Sequence, residues 1–294
     1  MPCYLKEGRT AVRLVSGLSS ARRKGVRSYW RRAMLVVCVG VSLGAAEPAT
    51  PHAFLEKLCD DFGGRLTGSV ANAGAMERLA TELRALGYAP EKIPFTMPGW
   101  ERGDDRVEVL APFARRLRVA ALGYAEAHAA FDADIVDLGN AKDSDLDKVE
   151  TRGRIGVLAP TTALQTSELV AMAVARGLRA VLFINREGGG QLLARTGSFS
   201  GTPLPIPIYS LAQEEGRWLQ RLLVRGTPVR LRMETKSRCR EVATANLRLV
   251  VPGRVVSRLV IGAHFDSWDI GQGAMDNGIG VAQLHALASA LRGA

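Results

Sequence analysis

"LVIGAHFDSWDIGQGAMDNG", residues 259–278, is the stretch whose reading decides the fold. Leu259-Val260-Ile261 is a continuous apolar run, the pattern of a strand buried on both faces. His264 leaves that strand at its carboxyl end, and a Gly-rich loop carrying Asp266, Asp269 and Asp276 leads into a helical pattern from Gly278 to Arg292. Open α/β sheets bind their ligands at the carboxyl ends of strands, so this strand–loop–helix is where chemistry is expected. Neutral imidazole and carboxylate together suit zinc. One carboxylate can bridge two ions, as in two-metal hydrolases, and a carboxylate beside a ligand histidine can hold its ring in orientation. The same residues also admit a plainer reading, in which Asp276-Asn277 caps the helix and His264 is a satisfied strand-end residue.

Upstream, the periodicity predicts a helix over His52–Phe62 stopped by Gly63-Gly64, and a second over Ala71–Leu86 stopped by Gly87. "EKIPFTMPGWERG" reads as extended, and Arg106–Leu110 and Leu117–Ala120 as short strands. From about Asp132 the chain becomes a compact alternation. Strands are expected at Asp134–Leu138, Ile155–Leu158, Ala180–Ile184 and Val229–Met233. Between them lie a helix capped by Ser167 and running to Arg176, the extended "PLPIPI", and an amphipathic helix over Ala212–Val224. That unit of about 100 residues is long enough to bury its own core.

The 294 residues allow two domains at roughly 100–200 residues each. Of the net charge of +10, residues 1–46 account for +8, with nine basic side chains against Glu7. The remainder is nearly neutral, which argues against nucleic acid as a partner. The basic front, the apolar run from Ala33 to Leu43 and the small residues Gly44-Ala45-Ala46 form the pattern of an export signal. Arg31-Arg32 fits a twin-arginine signal loosely, and a start nearer Met34 is an alternative. The run is too short to span a membrane, which takes about 20 apolar residues, so no transmembrane span is expected. Cys59 and Cys239 follow the leader without a CxxC spacing, and read as small buried hydrophobes with a disulfide left open.

"GAHFDSWDIGQGAMDNG" resembles the first metal motif of the M28 family of di-zinc metallopeptidases, closest to its carboxypeptidase Q (plasma glutamate carboxypeptidase) branch. "LCDDFGGRLTGS" and "MPGWERG" resemble N-terminal segments of that branch. "VDLGNAKDSDLDKVETRGRIGVL" and "IPIYSLAQEEGRWLQRLL" resemble the protease-associated (PA) domain inserted in many such enzymes. The resemblance implies an α/β fold, an incomplete zinc-peptidase (phosphorylase/hydrolase-like) sheet with an inserted PA domain. The implied organisation is a leader over 1–46, the N-terminal part of the peptidase domain over 47–131, the PA domain over 132–240, and the start of the catalytic domain over 241–294.

Carried over by position, the resemblance makes His264 a terminal zinc ligand, Asp276 the carboxylate bridging two zinc ions, and Asp266 the residue orienting His264. It implies a zinc-dependent exopeptidase (aminopeptidase, dipeptidase or carboxypeptidase Q-like) in which metal-activated water attacks the bond of a short peptide or dipeptide. The N-terminal pattern implies export to the periplasm or medium, and the resemblance leaves room for a homodimer in the full-length enzyme. The family's Glu-Glu general-base pair and its later aspartate and histidine ligands have no counterpart in this sequence. Glu214-Glu215 falls on a helix of the inserted unit and reads as a solvated face, and His285 reads as a packed or surface histidine. The expectation is therefore a C-terminally truncated, inactive peptidase fragment. The alternative is a non-catalytic exported binding protein that works through its PA domain.

Overall fold

The computed structural model of this chain describes residues 11–16, 50–253 and 256–292. Helix α1 (Pro51–Phe62) starts where Thr50 Oγ1 accepts the Ala53 N–H at 3.1 Å and Pro51 occupies the first turn, where an N–H would lack a helical partner. It ends at Gly63, whose N–H donates to Cys59 O at 2.8 Å. Ser69 Oγ caps α2 (Val70–Ala85) by accepting the Asn72 N–H at 3.1 Å. The remaining helices are α3 (Asp143–Leu146), α4 (Thr166–Ala175), α5 (Gln213–Val224) and α6 (Ile279–Ala290). The strands in chain order are β1 (Ala11–Ser16), β2 (Glu91–Glu101), β3 (Arg106–Ala111), β4 (Arg115–Arg116), β5 (Val119–Ala121), β6 (His128–Asp137), β7 (Ile155–Leu158), β8 (Ala180–Ile184), β9 (Ile208–Leu211), β10 (Arg230–Thr235), β11 (Arg238–Val251) and β12 (Leu259–His264).

Two sheets result. The four-stranded one has the order β12-β1-β11-β2, and α1, α2 and α6 pack on it through Phe54, Leu58, Leu79, Leu83 and Val281, in one core with Leu247, Leu249 and Phe265. β2 lies at its edge, where Pro94 and Pro98 leave no ladder N–H missing from a sheet interior. β1 runs parallel to β11, Val12 opposite Leu247, and antiparallel to β12, Ala11 opposite His264. No strand was expected at residues 11–16. The expected export motif over residues 31–46 lies outside the described residues.

The apolar run Leu259-Val260-Ile261 is not buried on both faces as its composition suggests. β12 is an end strand of its sheet among the described residues, and Leu259 and Val260 are 48% and 58% exposed. Only every second residue of an amphipathic strand can reach the helical layer, and here Ile261 and Ala263 do so.

The second sheet has eight strands in the order β4-β3-β10-β6-β7-β8-β9-β5. Its centre, β6 to β9, is parallel, and β7 and β8 are buried at every residue, as continuous apolar strands between covering layers should be. β3, β4 and β5, from residues 106–121, pair into this same sheet. Helix α4 starts at Thr166 rather than after Ser167: Glu168 reaches back to the Gln165 N–H at 2.8 Å, which places the cap three residues before the glutamate. Glu214 and Glu215 are not a merely solvated face. Glu214 accepts the N–H groups of Gly189 and Gly190 at 2.6 and 3.1 Å, and Glu215 accepts from Arg115 at 3.1 Å and from the Arg118 N–H.

Cys59 is buried, Cys239 is half-buried, and neither is in a disulfide. Burial, with Glu126 beside it, pushes the Cys239 thiol up to about 12, so it remains protonated and unreactive at neutral pH. His285 is a packed histidine on α6, stacked on Phe54 with ring centroids 4.5 Å apart and its Nε2 3.2 Å from Glu82 Oε2. Burial pulls its imidazole below the ordinary value, and Glu82 opposes this only in part. A depressed native value means the unfolded chain takes up the proton first as pH falls. The stability this group contributes is therefore complete above the ordinary histidine value, about 6.5, and is lost as pH falls from there toward the folded value. Urea unfolding between pH 5 and 8 should show a shallower pH dependence in His285→Gln than in the unsubstituted chain. Equal slopes would remove His285 as the cause.

Candidate metal centre

The loop that follows β12 is held by an arginine. Arg65 is fully buried, and its guanidinium donates to four backbone carbonyls: Nε to Phe265 O at 3.3 Å, Nη1 to Gly63 O at 2.7 Å and Gln272 O at 3.0 Å, and Nη2 to Gly273 O at 2.9 Å. Its backbone joins the loop as well. The Arg65 N–H donates to Ser267 Oγ at 2.9 Å and Arg65 O accepts the Ser267 N–H at 3.2 Å. Burial pulls the guanidinium below its ordinary range, with Cys59 and Asp266 opposing, but from so high a starting value it stays charged at neutral pH. One planar donor fork thus spans both ends of the loop, Phe265 at its start and Gln272-Gly273 near its close.

Gly273 makes that closure possible. It sits at φ +63, and a Cβ there would lie 2.3 Å from Ser267 Cβ and Oγ. Gly273→Ala combines left-handed strain with a clash against the Arg65–Ser267 ladder, and should destabilise the chain by about 1–3 kcal/mol. A thermal melt unchanged by the substitution would contradict this.

Within the fixed loop the three expected residues come together. His264 Nδ1 lies 3.2 Å from Asp266 Oδ1 and 3.1 Å from Asp266 O, and Thr67 Oγ1 donates to Asp266 Oδ2 at 3.0 Å. On the other side of the ring, His264 Nε2 lies 2.7 Å from Asp276 Oδ1. His264 and Asp266 are mostly buried, whereas the Asp276 side chain is 76% exposed and open to solvent. The Asp276–Asn277 peptide is cis. Helix α6 begins at Ile279, and it is Asn277 whose Oδ1 accepts the Gly280 N–H at 3.2 Å, as a capping side chain does. The capping reading therefore applies to Asn277, and Asp276 is left facing His264.

The donor set fits a cation. With Nδ1–H directed at Asp266, a neutral imidazole presents the Nε2 lone pair to a carboxylate oxygen, and a shared cation satisfies both atoms. Imidazole nitrogen with carboxylate oxygen is a zinc-compatible pair. Among the described residues no group of three or more His, Cys, Asp or Glu side chains converges as a metal cluster. His52 pairs with Glu56 on the exposed face of α1, His128 packs edge-on to Phe131, and His285 is in the helical core.

Further contributors lie outside the expected set. Arg65 and Thr67 fall in a segment whose sequence carries no metal-ligand pattern, because their partners are carbonyls and a carboxylate about 200 residues downstream. Trp268 lies against Gly123, where a Cβ would be 2.8 Å from the indole. Next to it Asp269 receives Arg102 in a two-point contact, Nε at 2.5 Å and Nη2 at 3.1 Å, while Arg102 Nη1 donates to Ala121 O at 2.8 Å. These contacts join the loop to the eight-stranded unit through β5.

Residues 246–294 match the model of Peptidase family M28. Carboxypeptidase Q of Bos taurus is 25% identical over 246 residues, 77% of this chain and 51% of that protein. Carboxypeptidase Q of Homo sapiens is 24% identical over 254 residues, again 77% and 51%. The chain spans about half the length of these curated relatives. Among solved structures, a peptidase M28 precursor from Shewanella amazonensis superposes with a TM-score of 0.65 at 24% identity, covering 82% of this chain and 60% of that one. A zinc aminopeptidase from Bacillus subtilis superposes with a TM-score of 0.60 at 20% identity, covering 84% and 58%.

Proposed function

We propose that the chain is a member of peptidase family M28, whose α/β zinc-peptidase fold it shares, and that it serves a zinc-dependent exopeptidase reaction on dipeptides or short peptides. The observation carrying this reading is the ordered line Thr67–Asp266–His264–Asp276 at the carboxyl end of β12. In it Asp266 fixes the imidazole, His264 and Asp276 are the zinc ligands, and Asp276 is the carboxylate exposed enough to be shared between two ions. Zinc bound there supplies Lewis-acid polarisation of a peptide carbonyl. The chain's own residues position it: Arg65 holds the loop closed, and Thr67 and Asp266 set which imidazole nitrogen faces the ion. Catalytic zinc takes three protein ligands and an open position, of which His264 and Asp276 would supply two. No helix among the described residues is long and apolar enough to cross a membrane.

The test is zinc binding by the purified chain, followed by competition with a chromophoric chelator. Zinc should bind saturably, and at least about 100-fold more weakly to His264→Ala. Equal affinities in the two proteins contradict it. The two-donor cluster favours a second reading, a non-catalytic exported protein that binds peptides through its inserted unit. Zinc-independent peptide binding with no turnover is its signature.

A further inference from the structure

Arg65 fixes the loop after β12 at its two ends, and a second arginine fixes its outer part. Asp269 lies in that outer part, between Asp266 and Asp276. Its backbone packs on Gly64, where a Cβ would lie 2.6 Å from Asp269 Cα. Its carboxylate receives the Arg102 fork, Nε at 2.5 Å and Nη2 at 3.1 Å, and the two side chains are only 16% and 23% exposed.

Arg102 reaches several parts of the molecule at once. It follows β2 of the four-stranded sheet, and its guanidinium lies 4.7 Å from the centroid of the Trp100 ring. Its Nη1 donates to Ala121 O at 2.8 Å, at the end of β5 in the eight-stranded sheet. It also stands where the chain crosses into that sheet. There the Gly103 N–H donates to Ser237 Oγ at 3.0 Å, and Asp105 accepts the Lys236 and Ser237 N–H groups at 2.7 and 2.8 Å, so the outgoing and returning segments are clipped together. A Cβ on Gly103 would lie 2.3 Å from Lys236 C. This closed junction gives Arg102 a fixed base. A desolvated ion pair adds little net stability, because lost hydration offsets the attraction, but a two-point fork sets distance and orientation together. The pair therefore acts on where the loop sits more than on how strongly the chain folds.

We propose that Arg102 is a positioning residue for the candidate metal centre, and that through Asp269 and Ala121 it couples the shape of the metal loop to the docking of the eight-stranded unit. The coupling is reciprocal: an ion held by His264 and Asp276 tightens β5, and loosening of β5 weakens the hold on the ion. The effect on the ion rests on the zinc reading, whereas the link between loop and β5 does not.

Amide exchange of the full chain, metal-free and with zinc, together with zinc affinity by chelator competition, tests it in Arg102→Ala, Arg102→Lys and Asp269→Asn. Without metal, Arg102→Ala should speed exchange at least about fivefold at Ser267 on the loop and at Leu122 and Gly123 just past β5, whose N–H groups donate to Ile208 O and Arg195 O, while β7 and β8 stay protected. Zinc should slow exchange at Leu122 and Gly123 in the unsubstituted chain but not in Arg102→Ala, which should bind zinc at least about fivefold more weakly. Arg102→Lys and Asp269→Asn keep part of the contact and should fall between. If Arg102→Ala loosens β7 and β8 as well, Asp269→Asn carries the same comparison. Arg232→Ala breaks the exposed two-point pair with Asp132 and, as the control, should move neither quantity. A merely structural arginine would not produce the zinc-linked change past β5. If the unsubstituted chain binds no zinc but Arg102→Ala loosens both sides, the link stands and the zinc reading is removed. Exchange raised on one side only, or equal zinc affinity in Arg102→Ala and an unsubstituted chain that binds zinc, overturns the proposal.

Discussion

Arg65→Ala is expected to destabilise the chain by at least about 3 kcal/mol and to release the loop over residues 265–273. The substitution leaves four carbonyl oxygens, of Gly63, Phe265, Gln272 and Gly273, without their shared donor, that of Phe265 in a buried contact and the others in part-buried ones. Each unsatisfied buried acceptor costs about 1–3 kcal/mol, and removal of the large side chain adds a cavity. Partial relaxation and entry of water keep the total below the simple sum. Arg65→Lys should recover only part of the loss, since an ammonium cannot reach both ends of the loop with a planar fork. Chemical denaturation measures the stability, and amide exchange at Ser267 and Gly278, whose N–H groups donate to Arg65 O and Gly273 O, reports the loop. Unchanged stability together with unchanged exchange would show that the loop closes without the arginine.

Asp266→Ala is expected to weaken zinc binding about 10–100-fold while leaving the fold intact, the usual cost of removing a carboxylate that orients a ligand histidine. Asp266 sits between Thr67 Oγ1 and His264 Nδ1, so its loss frees the ring to rotate and to exchange tautomers. Thr67→Val should give a smaller effect in the same direction, because it removes one donor to the carboxylate and leaves the carboxylate in place. Competition titration with a chromophoric chelator measures both. Identical affinities in Asp266→Ala and the unsubstituted chain would mean that Asp266 plays no part in presenting His264.

Much of this was legible in the sequence, for reasons that differ between elements. Helices α1 and α2 carry clear apolar stripes between capping and stopping residues, and β7 and β8 are short continuous apolar runs that only a doubly covered strand explains. The line His264–Asp266–Asp276 was visible because metal donors are a restricted set of residue types. β12 misled because an apolar run carries no information about how many neighbours its strand has. The cap of α4 shifted because Glu168, rather than the nearest serine, fixes the first turn. Glu214 and Glu215 face backbone N–H groups and arginines from other segments, and no local pattern announces such partners. Arg65 was hidden for the same reason: carbonyl acceptors have no residue identity, so a buried arginine that serves them leaves no signature.

His264 and Asp276 are the proposed pair of metal ligands. A cobalt(II) titration, cobalt standing in for zinc with a visible spectrum, tests this assignment on the purified chain and on His264→Ala and Asp276→Ala. Saturable binding should appear in the unsubstituted chain, and each substitution should weaken it at least about 100-fold, since a site with few protein donors cannot lose one and retain its ion. Superimposable curves for all three proteins, or no binding to the unsubstituted chain, would contradict the account.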